Sequence, residues 1–262
     1  MGRIYLLMLS CLFLITGSSE GAFEAREYGA RVAGMSGAAV AIAGDAFSFA
    51  YNPAHLASIN KKAVGTSYHD LFGLGLEQTS YTLTLPFSFI NFGLLDSKVG
   101  DDVYNERLTI ISFGKDVSSL SVGGSIKYYK VESDITGFGY GFDLGLIKEW
   151  PRLTLGIAFD DIINTVSYNS DRSGEIESKA KLGLSFRWDE KTTISMETVN
   201  GQRGSLALER WYSDNVAVRL GLSQGYLTGG LTLIRSNWQV DYAYTPHQLG
   251  STHRLTTYFL FL

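Results

Sequence analysis

Apolar residues recur at every second position along most of this 262-residue chain, and what lies between them is small rather than charged. In residues 152–160, Leu153, Leu155, Ile157 and Phe159 take one face, while Arg152, Thr154, Gly156, Ala158 and Asp160 take the other. Residues 180–187, 216–223 and 238–245 repeat the pattern. Successive strand side chains point to opposite faces, so each segment has one apolar face and one face of small residues and single charges of both signs. A soluble sheet would fill that second face with lysine and glutamate. Small residues with isolated charges suit a confined, watered interior, and a uniformly apolar face suits lipid, which is the pattern of an outer-membrane barrel. Composition agrees. Charged residues make up 18% of the chain and glycine 29 of its 262 residues, against about 25% and 7% in soluble domains.

The alternation predicts an all-β fold, a transmembrane antiparallel β-barrel of about fourteen strands, with twelve as the alternative count. The segments are 62–69, 77–85, 87–95, 106–114, 119–131, 137–148, 152–160, 176–188, 191–199, 204–211, 215–223, 226–235, 238–245 and 252–262. Most have the length of a tilted spanning strand. Every second connection reads as a tight turn, at 86, 115–118, 149–151, 189–190, 212–214 and 236–237. The intervening connections, such as 96–105 and 161–175, read as longer and more polar. Trp150, Trp188, Trp211 and Trp238 all fall beside the tight turns, as expected of amphipathic rings at a membrane interface. The segment ending in Phe261 and Leu262 reads as a closing strand resembling a barrel insertion signal.

Ahead of the barrel, Arg3 precedes an apolar run over residues 4–16, followed by small residues. The run is too short to span a bilayer and matches a secretory signal core, which predicts a signal peptide over 1–21 and export to the outer membrane. The single cysteine, Cys11, lies inside that run, so no intrachain disulfide is possible. The predicted organisation is a signal peptide at 1–21, an N-terminal hatch at 22–61 and a barrel at 62–262.

Residues 23–60 do not alternate. A stretch of small residues at 31–44 is followed by Asp45, by the aromatics Phe47, Phe49 and Tyr51, and by the turn Asn52-Pro53-Ala54. Asp45 suits a short helix cap and Asn-Pro marks a turn. Residues 29–38, 43–46 and 52–57, with weaker matches at 140–146 and 241–244, resemble the FadL/PorV superfamily of outer-membrane proteins. That resemblance implies a fourteen-stranded barrel with an N-terminal plug. It also implies either passive passage of small hydrophobic compounds or, in PorV/PorQ-type members, a partner in a protein secretion system. The hatch positions that carry it are Asp45, Asn52, Pro53 and Ala54. The large extracellular loops of fatty-acid transporters are absent from this sequence.

Alternation places Lys127, Asp143, Arg152, Asp160, Lys181, Arg187, Glu197, Arg219, Asp241 and Arg254 on the inner face. Such charges either pair to hold plug and wall together or line a path that selects solutes. Residues 70–77, with Phe47, Phe49 and Tyr51 below, read as either a strand pair running into the headgroup region or a greasy entrance. His69-Asp70 and Asp101-Asp102 read as solvated rim residues rather than a protease site. His55 reads as a packed histidine. No metal set, phosphate loop or nucleophile motif occurs, so no cofactor, metal or catalytic residue is expected. The net charge of −4 argues against nucleic acid as a partner. The expected partners are outer-membrane lipid, a hydrophobic small molecule and, in the alternative, secretion-system proteins.

Overall fold

The computed structural model describes residues 27–42, 44–101, 103–134, 136–169, 173–174 and 176–261. The predicted signal peptide lies outside the described residues. Among those described, fifteen strands form one antiparallel sheet. They are β1 (Ala63–Leu71), β2 (Leu76–Leu85), β3 (Asn91–Gly100), β4 (Asn105–Val117), β5 (Leu120–Glu132), β6 (Gly137–Glu149), β7 (Leu153–Tyr168), β8 (Ser173–Gly174), β9 (Lys179–Arg187), β10 (Thr192–Val199), β11 (Arg203–Ser213), β12 (Val216–Ser223), β13 (Tyr226–Arg235), β14 (Trp238–His247) and β15 (Gly250–Leu260). β8 is a two-residue pairing at the end of β7; the other fourteen follow one another around a barrel that β1 and β15 close, with Ala63 opposite Leu260 and Asp70 opposite His253.

β6 shows why these residues form this wall. Phe138, Tyr140, Phe142, Leu144 and Leu146 are exposed, while Gly137, Gly139, Gly141, Asp143, Gly145 and Ile147 are buried. The exposed set is apolar, and around the barrel it continues through Phe159, Leu182, Leu208, Leu220 and Leu255. A hydrocarbon solvent leaves no backbone group free to bond outside the protein, and a closed barrel meets that requirement because it has no edge. No helix among the described residues is long and apolar enough to cross a membrane; the strands do so.

Two ends can be told apart. Trp150, Trp188 and Trp238 are exposed at one end, where Trp238 packs edge-on against Phe259 and Phe186 against Trp188. Trp211 departs from the expected girdle. It is only half-buried, shares the inner face with Ala207 and Glu209, and lies near Glu209 Oε1 with its Nε1 at 3.4 Å. Tyrosines ring the opposite end, the mouth, where Tyr68 donates to Glu77 and Tyr244 meets Ser251.

Three mouth connections are shorter than expected: residues 96–100 and 161–168 belong to β3 and β7, and the connection between β14 and β15 is 248–249 rather than 246–251, while 224–225 lies where the sequence places it. Strand ends that emerge from the apolar slab carry polar residues on both faces, and sequence polarity there resembles a loop. The third segment is displaced for the opposite reason. Residues 86–90 alternate as Pro-Phe-Ser-Phe-Ile, yet they form the connection into β3. Phe87 and Phe89 are exposed, and Asn91 Oδ1 accepts from the Phe87 amide at 3.1 Å.

The described residues of 27–57 lie inside the barrel. A short helix, α1 (Ala30–Ala33), precedes 3-10 turns at Ser48–Ala50 and Pro53–Ser58. α1 sits on β13–β15: the Ala30 amide donates to Thr256 at 2.8 Å, and a Cβ at Gly34 would lie 2.9 Å from the Gly230 Cα. Phe47, Phe49 and Leu56 form a core with Leu95, Ile110 and Tyr258 of the wall.

Candidate functional site

The Asn-Pro-Ala turn is the first anchor of this interior segment. Asn52 is fully buried. Its Oδ1 accepts from the Ala54 amide at 3.0 Å, capping the turn that Pro53 begins, and its Nδ2 donates to the Val40 carbonyl at 3.0 Å. The same Nδ2 lies 3.3 and 3.4 Å from the Leu146 and Ile157 carbonyls of β6 and β7. This approach requires a bare wall. A Cβ at Gly145 would stand 2.0 Å from Asn52 Oδ1, and one at Gly156 would stand 2.2 Å from the Val40 carbonyl oxygen. Small inner-face residues are therefore where the interior backbone comes closest.

Asp45 is the second anchor. Its Oδ1 accepts from the Phe47 amide at 2.8 Å and from Ser48 Oγ at 3.2 Å, closing a small turn, and its Oδ2 lies 3.7 Å from Arg31. Arg31 in turn makes a bidentate pair with Glu209 of β11, at 2.9 and 2.8 Å. Arg219 shares that carboxylate and lies 3.8 Å from Asp241, which Thr232 and Gln239 also bond. This buried chain of Asp45, Arg31, Glu209, Arg219 and Asp241 ties the interior segment to β11, β12 and β14.

A second network sits on the other side. Lys127 lies 2.9 Å from Asp143 and 3.1 Å from Asp161, and Lys181 pairs with Asp160. Asp160 and Asp161 are adjacent yet both buried, because the β6–β7 register shifts between Phe142 and Leu144 and Asp161 takes a φ of 54°. The resulting bulge turns a second carboxylate inward. Glu197 accepts the Ala39 and Val40 amides at 2.8 and 2.9 Å. Arg254 bonds Glu27 at 2.9 Å and the ring of His69. His69 is 1% exposed, which corrects its reading as a rim residue. Asp70 and Asp101 instead accept backbone amides within their own turns, and Asp102 lies outside the described residues.

Of the ten charges assigned inward by alternation, Arg152 and Arg187 are exposed at the tryptophan end. They continue the inner-face parity but sit where the wall ends, so solvent reaches them. The set placed inside by alternation omits Arg31, Glu209 and Asp161, and the sequence reading puts the buried His69 at the rim. Glu209 alternates with Ala207 and was legible by parity; Asp161 was hidden by the bulge, and Arg31 lies where no period exists. His55 is buried, with Nε2 at 3.0 Å from the Ala39 carbonyl.

Toward the mouth lies a cavity of about 260 Å³. Ala50 and Tyr51 line it from within, Val99, Leu108 and Ile110 of β3 and β4 form an apolar wall, and charged residues of β5, β7 and β9 face it. Phe47 and Phe49 do not line it, and neither does the 70–77 hairpin, in which the Phe72 ring instead packs at a tilt against His247, centroids 4.6 Å apart. The two phenylalanines anchor rather than line.

Solved structures share this fold. The Pseudomonas putida toluene transporter TodX superposes with a TM-score of 0.65 at 12% identity, covering 92% of this chain and 99% of that one. The CymD monoaromatic hydrocarbon channel gives 0.62 at 15% identity, covering 87% and 95%. This chain has their fold. That fold and the apolar belt place it in the bacterial outer membrane. No family model matches the sequence, and no curated protein does.

Proposed function

We propose that this barrel carries small hydrophobic compounds passively across the outer membrane. The carrying observation is the cavity at the mouth, with its apolar wall at Val99, Leu108 and Ile110 above a tightly anchored interior segment. Such a concavity offers an apolar solute a dry surface within an otherwise polar lumen. The fold shared with a toluene transporter and a monoaromatic hydrocarbon channel supports this class of solute. In this reading residues 27–60 form the plug, and Tyr51 is its contact with the solute. The plug's other motif residues, Asp45, Asn52 and Pro53, fix its shape.

The test is uptake of radiolabelled toluene by cells whose outer membrane limits its entry. Expression of the barrel is expected to raise the initial rate. Ser205→Trp, which fills the cavity from its half-buried β11 wall, is expected to return the rate to background while the barrel still folds. No increase on expression, or full uptake through the filled cavity, contradicts the proposal. The alternative role, a PorV/PorQ-like secretion partner, rests on the resemblance of residues 29–57. A stoichiometric partner recovered in mild detergent would favour it.

A further inference from the structure

The carboxylates that face the mouth cavity are occupied, with one solvated exception. Asp161 takes Lys127 and the Tyr129 hydroxyl, Asp160 takes Lys181, Glu197 takes two backbone amides, Glu27 takes Arg254, and Glu106 takes the Tyr104 hydroxyl. Glu177 is exposed and meets Asn200 at 3.4 Å.

The cations are not equally served. Lys127 and Lys181 are paired, Arg107 lies on Asp96, and Arg203 has its own partner. Lys179 is half-buried at the start of β9 and lines the same cavity; Glu177, two residues back, and Asp160 and Asp161 act on it electrostatically, yet none of them forms an ion pair or hydrogen bond with it among the described residues. Asp160 stands opposite it in register, but Lys181 holds that carboxylate. Lys179 is therefore without a bonded acceptor among the described residues, and the carboxylate nearest it in sequence, Glu177, is turned to solvent. Four to five strands around the wall from Lys179 are β4 and β3, which supply the apolar side at Leu108, Ile110 and Val99.

We propose that the cavity takes a compact amphipathic anion, an aromatic or short-chain carboxylate, with its carboxylate on Lys179 and its apolar body against Ile110 and Val99. A partly desolvated cation beside an apolar wall favours a ligand that supplies both an acceptor and apolar surface. At 260 Å³ the space is smaller than the roughly 300–1,000 Å³ of drug-sized sites, which favours a ring or a short chain over a long acyl tail. This inference rests on the channel reading and narrows its solute.

The experiment is calorimetric titration of the full-length barrel in detergent with benzoate and with benzamide, its neutral near-isostere, at pH 7. One charge-assisted hydrogen bond predicts that benzoate binds about tenfold or more tighter. Lys179→Gln is expected to bring benzoate to the level of benzamide and leave benzamide unchanged, while Lys179→Arg keeps the preference. Equal binding of the two compounds, or a preference that survives Lys179→Gln, overturns the proposal. If neither compound binds while toluene uptake persists, this inference falls and the channel reading stands. If uptake is also absent, both fall.

Discussion

Asn52 and Gly145 depend on each other at a distance that leaves no room for a side chain, since a Cβ on Gly145 would stand 2.0 Å from Asn52 Oδ1. Gly145→Val therefore forces the turn away from the wall, and overpacking of this kind costs about 1–3 kcal/mol. The expected result is a lower midpoint in heat-modifiability gels of the folded barrel; an unchanged midpoint would show that the turn does not rest there. Asn52→Ala keeps the space but loses the cap, for about 0.5–2 kcal/mol. Glu209 is the more severe case. It serves Arg31 and Arg219 together, both buried. Glu209→Ala leaves two buried cations without it, at about 3–5 kcal/mol. Replacing Asp45, Arg31, Glu209, Arg219 and Asp241 together by Asn, Met, Leu, Met and Asn removes every charge of the network. That variant is expected to melt closer to the wild type than the single one. The reverse order would mean that the network stabilises by attraction rather than by mutual satisfaction.

The strands were legible in the sequence because the wall repeats with period two, and it was misread where that repeat meets a boundary. β6 lies at 137–149 against an expected 137–148, since glycine and aromatic residues alternate through its whole length. The sequence ends the seventh segment at 160, where polar residues begin and parity breaks. The break is a bulge at Asp161, after which the strand runs on to Tyr168. Beyond the bulge the β7–β9 ladder stops at Asp160 and Lys179, and the Asn164 amide takes over by bonding the Ile176 backbone at 2.8 and 2.6 Å. Asn164→Ala is expected to speed amide exchange at Ile176 without affecting β6; slow exchange there would mean that the seam is held otherwise. The lipid face makes a separate prediction. Leu144→Lys on β6 places a charge against hydrocarbon, at about 2–4 kcal/mol near the midplane. A cost near zero would place that residue outside the slab. The interior segment was less legible. Its motif marked Asp45 and Asn52-Pro53-Ala54, but irregular backbone carries no period from which Arg31's partner can be read.

Most connections between the fourteen spanning strands are short, with residues 169–178 between β7 and β9 the exception. In the proposed channel, discrimination then falls to the inside, between the interior segment and the wall. There the described residues form two buried ion networks and one cavity with an apolar side. The Arg31–Glu209–Arg219 network holds the segment to β11, β12 and β14, Glu197 holds it to β10 and Asn52 to β6 and β7, while the cavity lies beside β3–β5, where the grip is apolar packing with the Asn91 amide. Passage is then expected on the β3–β5 side, and a disulfide joining the segment to β11 is expected to leave toluene uptake unchanged. Loss of uptake in that variant would mean that the whole segment moves. The most direct test is a crystal structure of the barrel soaked with bromobenzene, located by the anomalous signal of its bromine. The account predicts a peak inside the mouth cavity, between Ile110 and Tyr129. Bromine found only on the outer apolar belt, with the cavity empty at saturating soak, would contradict it.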